Sequence, residues 1–225
     1  MKKTISILAL IVVCNMSFGQ NKIYDSLRYQ LLLIEQDDQG PRMQLDSISG
    51  QYAGDSSLLM KQLSFNSKIM KYNDSIDLLK VRSILDKYGW LGPDEIGDDG
   101  CSTLFLVIQH ADLKTQENYL PTMRAAVNAG KAKASRLALL EDRVALRQGR
   151  KQIYGSQIYL NVITKEMYVL PLLDPNNVNL RRSKVGLQSM EEYMQGNFNM
   201  KWDISQYYKD LPTADSLLKA SHFLN

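Results

Sequence analysis

The chain has 225 residues, with 27 basic and 24 acidic side chains, which gives a formal net charge of +3. So small an excess gives no bulk electrostatic basis for binding nucleic acid or an anionic surface. The length and the 44% hydrophobic content suffice for one domain resting on its own core, with or without an appended helical segment.

The first 19 residues have the pattern of a secretory signal peptide. Its charged, apolar and small-residue parts are Lys2 and Lys3, the run Ile5 to Val13, and Ser17 with Gly19. We therefore expect the mature chain to begin at Gln20 and to be exported, either to a periplasm or beyond it. The apolar run is shorter than the roughly 20 residues of a membrane-spanning helix, and no transmembrane span is predicted. Removing the two lysines lowers the formal charge from +3 to +1.

The two cysteines favour a fold without disulfides. Cys14 lies inside the predicted signal peptide, so the mature chain retains Cys101 alone and has no internal disulfide partner. Lipid attachment at Cys14 is disfavoured because the preceding Val12 and Val13 are bulkier than the residues that a lipoprotein signal places there.

Two amphipathic helices are predicted at the start of the mature chain. Apolar residues Ile23, Leu27, Leu31 and Ile34 recur at spacings of four and three, and this first helix is expected to end before Gly40 and Pro41. A second, long helix is predicted over residues 56–88. Its stripe consists of Leu58, Gln62, Phe65, Ile69, Tyr72, Ile76 and Leu79.

This stripe of the second helix has two interpretations. It packs either on the first helix as an intramolecular hairpin, or on a second copy as a coiled-coil homodimer through residues 56–88. The dipeptide Asp-Ser, which recurs irregularly at 25, 46, 55, 74 and 215, is interpreted as a helix N-cap rather than as an internal repeat.

Residues 88–100 are predicted to form a loop rich in glycine and acid, without the ligand spacing of an EF-hand. Asp98 or Asp99 is expected to cap the next element. That element carries the apolar run LFLVI at 104–108, which indicates a buried helix, with a strand as the alternative.

The rest of the chain is predicted to be helical around one β-hairpin. Helices are expected at 117–128, 135–148, around 189–194 and at 215–223, and the hairpin strands at 158–162 and 167–170. The fold class is therefore α+β, predominantly helical with one small β-hairpin, preceded by a long amphipathic N-terminal helical segment. The expected organisation is a signal peptide at 1–19, the helical segment at 20–84 and a domain at 85–225.

Four polar segments stand out: QHAD at 109–112, DRV at 142–144, YGSQ at 154–157, and DPNNVNLRRSKVGL at 174–187. Their order and spacing over about residues 85–195 resemble an uncharacterised family of bacterial domains with QHAD, DRV, YG(T/S)Q and DPxxVxxRRxxVGL segments. Ser156 and Asn179 stand where the family has Thr and Asp. The resemblance implies a shared fold and leaves the activity open.

His110 is the candidate acid-base group, because His222 near the end is the only other histidine. Asp112 or Asp142 could orient it, which makes His110, Asp112 and Asp142 the catalytic candidates. Side chains two positions apart on one helix point in different directions, so Asp112 is not expected to face His110. Asp112 fits better as a helix cap. The structural alternative is a buried histidine paired with a backbone carbonyl or with Asp142.

The same segments supply the candidate ligand-binding residues, which offer guanidinium, amide, imidazole and hydroxyl groups: Gln109, His110, Arg143, Tyr154, Gln157, Arg181 and Arg182. Guanidinium groups match carboxylate or phosphate ligands. The structural alternative is that Asp142 and Asp174 pair with these arginines and hold the hairpin against the helices.

No metal or cofactor is predicted. Zinc needs more nitrogen and sulfur ligands than His110 and Cys101 supply, and nothing in the spacing of Asp112, Asp142 and Asp174 requires calcium or magnesium. On one helix Cys101 and His110 would point in opposite directions, which disfavours a cysteine nucleophile. The common nucleophile, phosphate-loop and dinucleotide signatures are absent from the sequence.

Two functional hypotheses follow. In the first, an exported protein binds a small ligand or an envelope polymer through the polar segments. In an alternative form of this hypothesis, His110 and an aspartate also hydrolyse the bound ligand. In the second, the protein is a structural or interaction module that acts through its N-terminal helices. A pocket joining His110, Tyr154, Gln157 and an arginine favours the first. An exposed apolar stripe over residues 58–79 favours the second.

Overall fold

The computed structural model describes residues 4–52, 54–161 and 164–220, with side chains from Gln20 onward except at position 46. Its elements are α1 (Thr4–Gln51), α2 (Ser56–Tyr88), α3 (Pro93–His110), α4 (Leu113–Asn128), α5 (Ala134–Arg147), β1 (Ile158–Leu160), β2 (Met167–Val169), α6 (Val178–Lys184), α7 (Met190–Phe198) and α8 (Ile204–Ala220). A 3-10 turn over Pro175–Asn177 precedes α6. The predicted α+β class, predominantly helical with one hairpin and a long N-terminal helix, is confirmed.

Helix α1 continues through Gly40 and Pro41, so the predicted helix end before these residues is wrong. Proline has no N–H and therefore leaves the carbonyl four residues earlier without its helical hydrogen bond. That carbonyl belongs to Asp37, and the side chain of Asn73 on α2 donates to it at 2.7 Å. The neighbouring helix thus satisfies the group that Pro41 frees, which allows α1 to continue.

Helix α2 begins after Asp55, whose carboxylate accepts the Leu58 amide at 2.9 Å, as the N-cap interpretation predicts. The interpretation is wrong at the other four positions, because all of them lie inside helices: Asp25 and Asp46 in α1, Asp74 in α2 and Asp215 in α8. The face of α2 that meets α1 includes polar residues: Asn66 donates to the Pro41 carbonyl at 2.8 Å, and buried Asp77 accepts from Lys80 at 2.8 Å.

The predicted apolar stripe of α2 faces largely outward, although its members Gln62 and Ile69 are partly buried. The exposed fractions are 62% for Phe65, 68% for Tyr72 and 63% for Leu79. Helices α1 and α2 do pack together, but not through this stripe, so the interpretation of the stripe as the intramolecular seam is wrong.

Helix α3 begins at Pro93, within the predicted loop. Its start is capped by the Glu95 carboxylate, which accepts the Gly92 amide at 2.6 Å, and Gly97 interrupts the helix with φ +74°. The expectation that Asp98 or Asp99 caps this helix is wrong, because both lie after its start; Asp98 is exposed and pairs with Lys133 at 2.9 Å. The run at 104–108 is helical and largely buried, as predicted, in a core shared by α1 to α5.

Helices α4 and α5 pack against each other. Asp112 caps α4 by accepting the Thr115 amide at 2.8 Å, as predicted, and Pro121 lies within the helix. The predicted glycine stops are confirmed at Gly130 and Gly149, both in the left-handed region.

The C-terminal part packs around the antiparallel hairpin, in which Ile158 pairs with Val169 and Leu160 with Met167. A second core, formed by Leu172, Val178, Met190, Met194 and Tyr207, joins α6, α7 and α8 to it. Helix α6 was not predicted. The predicted strand residue 162, helix residues 221–223 and His222 lie outside the described residues.

Within the described part of the chain, no helix combines the length and the apolar character needed to cross a membrane.

Candidate functional site

His110 lies at the end of α3 with its side chain 17% exposed. Its Nδ1 is 3.0 Å from Oδ1 of Asp38 on α1, 72 residues earlier. The sequence proposed Asp112 or Asp142 as the orienting carboxylate, whereas the structure places Asp38 there. Asp38 was missed because acidic residues on an apolar stripe give no sign of their partner. The available signal was its position four residues after buried Ile34.

Arg42, one turn after Asp38, joins α1 to α2. Its Nη2 donates to both carboxylate oxygens of Asp74 at 2.8 and 3.0 Å, and its Nη1 lies 3.2 Å from Oδ1 of Asp38. Burial raises the pKa of Asp38, but its hydrogen bond to His110 and the charges of His110 and Arg42 outweigh this effect. The pKa therefore lies below the usual 3.8. Asp38 is consequently a buried carboxylate held in the charged form.

Asp38, Asp74 and His110 bring ligand-type atoms to within 4.8 Å of one another. Such a set resembles a divalent-cation site. The Arg42 guanidinium, however, already contacts both carboxylates. A metal ion would have to displace this cation, so the geometry fits an interhelical ion-pair cluster better than a metal centre. We call Asp38, Arg42, Asp74 and His110 the interhelical cluster.

Asp142 on α5 is fully buried and accepts hydrogen bonds from the backbone. Its Oδ1 accepts the amides of Ile153 and Tyr154 at 2.6 and 2.9 Å, and its Oδ2 accepts the amide of Ser156 at 2.9 Å. Burial raises the pKa of Asp142 above 3.8 despite these three bonds. Asp142 therefore fixes the turn before β1 through three backbone amides, and Asp38 rather than Asp142 contacts His110.

Arg181 and Arg182 hold the turn before β1 and the segment after β2. Arg182 is buried, donates to the carbonyls of Gln188 and Tyr154 at 2.5 and 2.7 Å, and stacks over Tyr193. Arg181 donates to the Ile153 and Asp174 carbonyls at 2.8 Å each and pairs with the Asp174 carboxylate at 3.4 Å. The expected arginine pairing is thus present for Asp174.

The remaining sequence candidates make separate side-chain contacts. The Gln109 side chain lies 3.4 Å from the Leu139 carbonyl, and that of Gln157 donates to Ser156 Oγ at 3.0 Å.

Burial raises the pKa of Tyr154. Burial, together with the charges of Arg147 and Arg42, lowers the pKa of Arg143 to about 10. Asp112 is a helix cap. None of the four described cavities joins His110, Tyr154 and Gln157.

Cys101 is buried, and its thiol lies 3.7 Å from the Leu91 carbonyl. Burial raises the pKa of this thiol above 9.0. Because the thiolate is the nucleophilic form, this environment suits a structural cysteine.

A groove of about 640 Å³ lies beside Arg42, between the second half of α1, the hairpin and the end of α7. Its polar lining consists of two cations, three side-chain amides and one hydroxyl: Arg42, Lys165, Gln195, Asn197, Asn199 and Ser49. Its apolar lining includes Leu45, Leu160, Met167 and Phe198. No described lining residue carries a carboxylate. We call this cavity the α1–hairpin groove.

The sequence matches a family of unknown function, DUF6624, over residues 25–200. The chain belongs to this family. The matched span is wider than the 85–195 suggested by the polar motifs and includes α2 and most of α1, and hence the whole interhelical cluster. Comparisons with curated proteins and with solved structures give no match.

Proposed function

We propose that this chain is an exported protein that binds an anionic small ligand, or the acidic part of an envelope polymer, in the α1–hairpin groove. One observation carries the proposal: the described lining offers two cations and several neutral donors but no carboxylate. A volume of about 640 Å³ falls within the range of roughly 300–1,000 Å³ typical of small-ligand sites.

The two cations of the groove have different roles. Arg42 is held in place by Asp38 and Asp74, so its guanidinium is pre-organised and needs little reordering to donate a hydrogen bond to an anion. Lys165 forms no ion pair among the described residues and lies in the hairpin turn at φ 62°. Lys165 therefore supplies the uncompensated charge, and the amides of Gln195, Asn197 and Asn199 supply neutral donors.

Export is supported by the pattern of residues 1–19, and it would place the groove in contact with envelope material. The groove lies at the surface, which suits the end of a polymer as well as a small molecule.

Hydrolysis of the bound ligand by His110 and an aspartate is the second candidate. The observation that favours it is the 3.0 Å contact between His110 and buried Asp38, which also contacts the groove residue Arg42. An aspartate that orients a histidine is a common acid-base arrangement. His110 itself is not among the groove's lining residues, so binding is the primary proposal.

Binding is tested by isothermal titration of the purified chain with an oligomer of a uronic acid and with a neutral glucose oligomer of equal length. The groove variant is Lys165→Asn, because asparagine also adopts the left-handed backbone of this position. The matched control is Lys151→Asn, at an exposed position outside the groove lining.

We expect the acidic oligomer to bind and the neutral one not to bind. Lys165→Asn should weaken binding about tenfold, the effect of losing one charged hydrogen bond, while Lys151→Asn leaves it unchanged. Equal binding of both oligomers, or equal loss in both variants, would overturn the proposal. Release of new reducing ends by the wild type, abolished in a folded His110→Gln variant, would establish the hydrolytic candidate.

A further inference from the structure

The outward stripe of α2 is unusual because polar residues of the same helix face the protein interior. Asn66 and Asp77 are buried against the bundle, whereas Phe65, Tyr72 and Leu79 are each more than 60% exposed. Burying polar groups while exposing large apolar ones costs free energy in an isolated chain. The inner face of α2 is already engaged by α1, so the outward stripe remains available.

The spacing of this stripe indicates a helix as its partner. Leu58, Phe65, Tyr72 and Leu79 are seven residues apart, with Gln62, Ile69 and Ile76 between them. This alternation of four and three forms a narrow seam with a 3.5-residue period, the pattern of a coiled coil. A helix lying on a membrane usually presents a wider apolar face.

We infer that the partner is a second copy of this chain, with its α2 packed antiparallel along the same stripe. Antiparallel pairing can place Ile69 against the partner's Tyr72, and Ile76 against the partner's Phe65. These layers each combine an aromatic ring with an isoleucine, and the same register places Gln62 beside the partner's Leu79, so the central part of the stripe complements itself. Parallel pairing would instead place Phe65 on Phe65 and Gln62 on Gln62.

One edge of the stripe is basic and opposes this association. Lys61, Lys68 and Arg82 are exposed along it, and antiparallel pairing brings Lys61 near the partner's Arg82. A like-charged surface pair lowers affinity by about a factor of two. Burial of one large apolar side chain raises affinity by about tenfold or more. The apolar contribution therefore prevails, and added salt should tighten the dimer by screening the basic edges.

The first test is sedimentation velocity of the purified full chain at rising concentration and at two salt concentrations. The variant Phe65→Glu with Tyr72→Glu places charge on the stripe. The matched control is Tyr29→Glu, at a site on α1 that is 65% exposed and lies outside the stripe. We expect a dimer for the wild type and the control, a folded monomer for the double variant, and tighter association at higher salt.

The orientation is tested by disulfide cross-linking, with Cys101 buried and therefore protected. In the antiparallel dimer Gln62→Cys should cross-link to Leu79→Cys in a mixture of the two variants. Leu79→Cys alone should not cross-link, because the two copies of residue 79 lie about 25 Å apart along the helix.

Three results would overturn the inference. The first is a wild-type monomer at all concentrations up to about 100 µM. The second is a dimer that persists in the Phe65→Glu, Tyr72→Glu variant. The third is a monomer that binds anionic phospholipid vesicles through this stripe and loses affinity with salt, which would identify a membrane-binding surface instead. None of these outcomes bears on the α1–hairpin groove, so the two proposals fail separately.

Discussion

Nδ1 of His110 lies 3.0 Å from Oδ1 of Asp38, a contact that joins the end of α3 to the middle of α1 across 72 residues. Asp38 is 1% exposed and also contacts Arg42. This carboxylate therefore links three helices, because Arg42 continues the contact to Asp74 on α2.

The first prediction concerns His110→Ala. Removing the imidazole deletes one hydrogen bond to a buried charged group, and we expect the free energy of unfolding to fall by about 1–2 kcal/mol. Chemical denaturation at neutral pH measures this change. Unchanged or increased stability would contradict a structural role and would point to a histidine kept for function at some cost in stability.

The second prediction concerns the pH dependence of Asp38→Asn. The folded-state pKa of Asp38 lies below 3.8. Its charged form therefore stabilises the fold fully at pH values above 3.8, the usual pKa of an aspartate. This contribution is lost as the pH falls through the folded-state pKa. We expect a loss of about 2 kcal/mol at neutral pH, with the gap between variant and wild type closing in acid. A gap that stays constant down to about pH 2 would contradict this assignment.

Asp142→Ala is expected to destabilise the fold by about 3 kcal/mol, because three backbone amides lose the buried carboxylate that accepts from them. Asp174→Ala is the matched control, since the Asp174 carboxylate is about half exposed and its pair with Arg181 is long. Thermal unfolding of the two variants measures the difference. Similar losses in both would mean that the three amides find other acceptors.

Alanine substitution at two glycines with the same φ distinguishes backbone strain from close packing. Gly155 and Gly186 both have φ +72°, but a Cβ at Gly155 would lie 2.9 Å from Met190 Sδ, whereas nothing lies within 4 Å at Gly186. Gly186→Ala should lose about 1 kcal/mol through the backbone alone. Gly155→Ala should lose about 1 kcal/mol more through overpacking. Equal losses, measured by denaturant titration, would show that Met190 moves aside freely.

Asn73→Ala tests how α1 tolerates Pro41. Without the Asn73 amide, the Asp37 carbonyl loses the donor that replaces its helical hydrogen bond, at a cost of about 1 kcal/mol. In a Pro41→Ala background the restored N–H of residue 41 can bond this carbonyl, so the same substitution should cost less. A double-mutant cycle measures the coupling, and additive effects would refute it.

Local signals predicted much of the fold. The apolar spacing gave α2 its extent, the carboxylates of Asp55 and Asp112 marked the starts of α2 and α4, and the β-rich segments around residue 165 gave the hairpin. The predictions at Pro41 and at 88–100 were wrong because side chains offset the tendency of these segments to break a helix. Asn73 donates to the carbonyl that Pro41 leaves free, and the Glu95 carboxylate accepts the Gly92 amide at the start of α3. The α6 helix was missed because its seven residues carry no clear period.

The candidate site was less predictable. The polar motifs correctly marked residues with buried or specific contacts, but Asp142 and Arg182 bind backbone atoms rather than one another. The motifs gave no indication of Asp38, Arg42 or the groove, because these depend on contacts between elements far apart in the chain.

The sequence by itself determined the family, the helical class and the existence of an apolar stripe on α2, since each depends on short-range spacing or on motif order. Tertiary structure alone decided that this stripe faces outward and that His110 meets Asp38. Helical periodicity shows which side chains share a face of a helix. Whether that face is buried depends on how all the other elements of the chain pack. Here Asn66 and Asn73 donate hydrogen bonds to the α1 backbone. Together with the buried apolar residues of α2, which are Leu59, Val81, Ile84 and Leu85, these bonds hold another side of the helix inward and leave the stripe largely exposed.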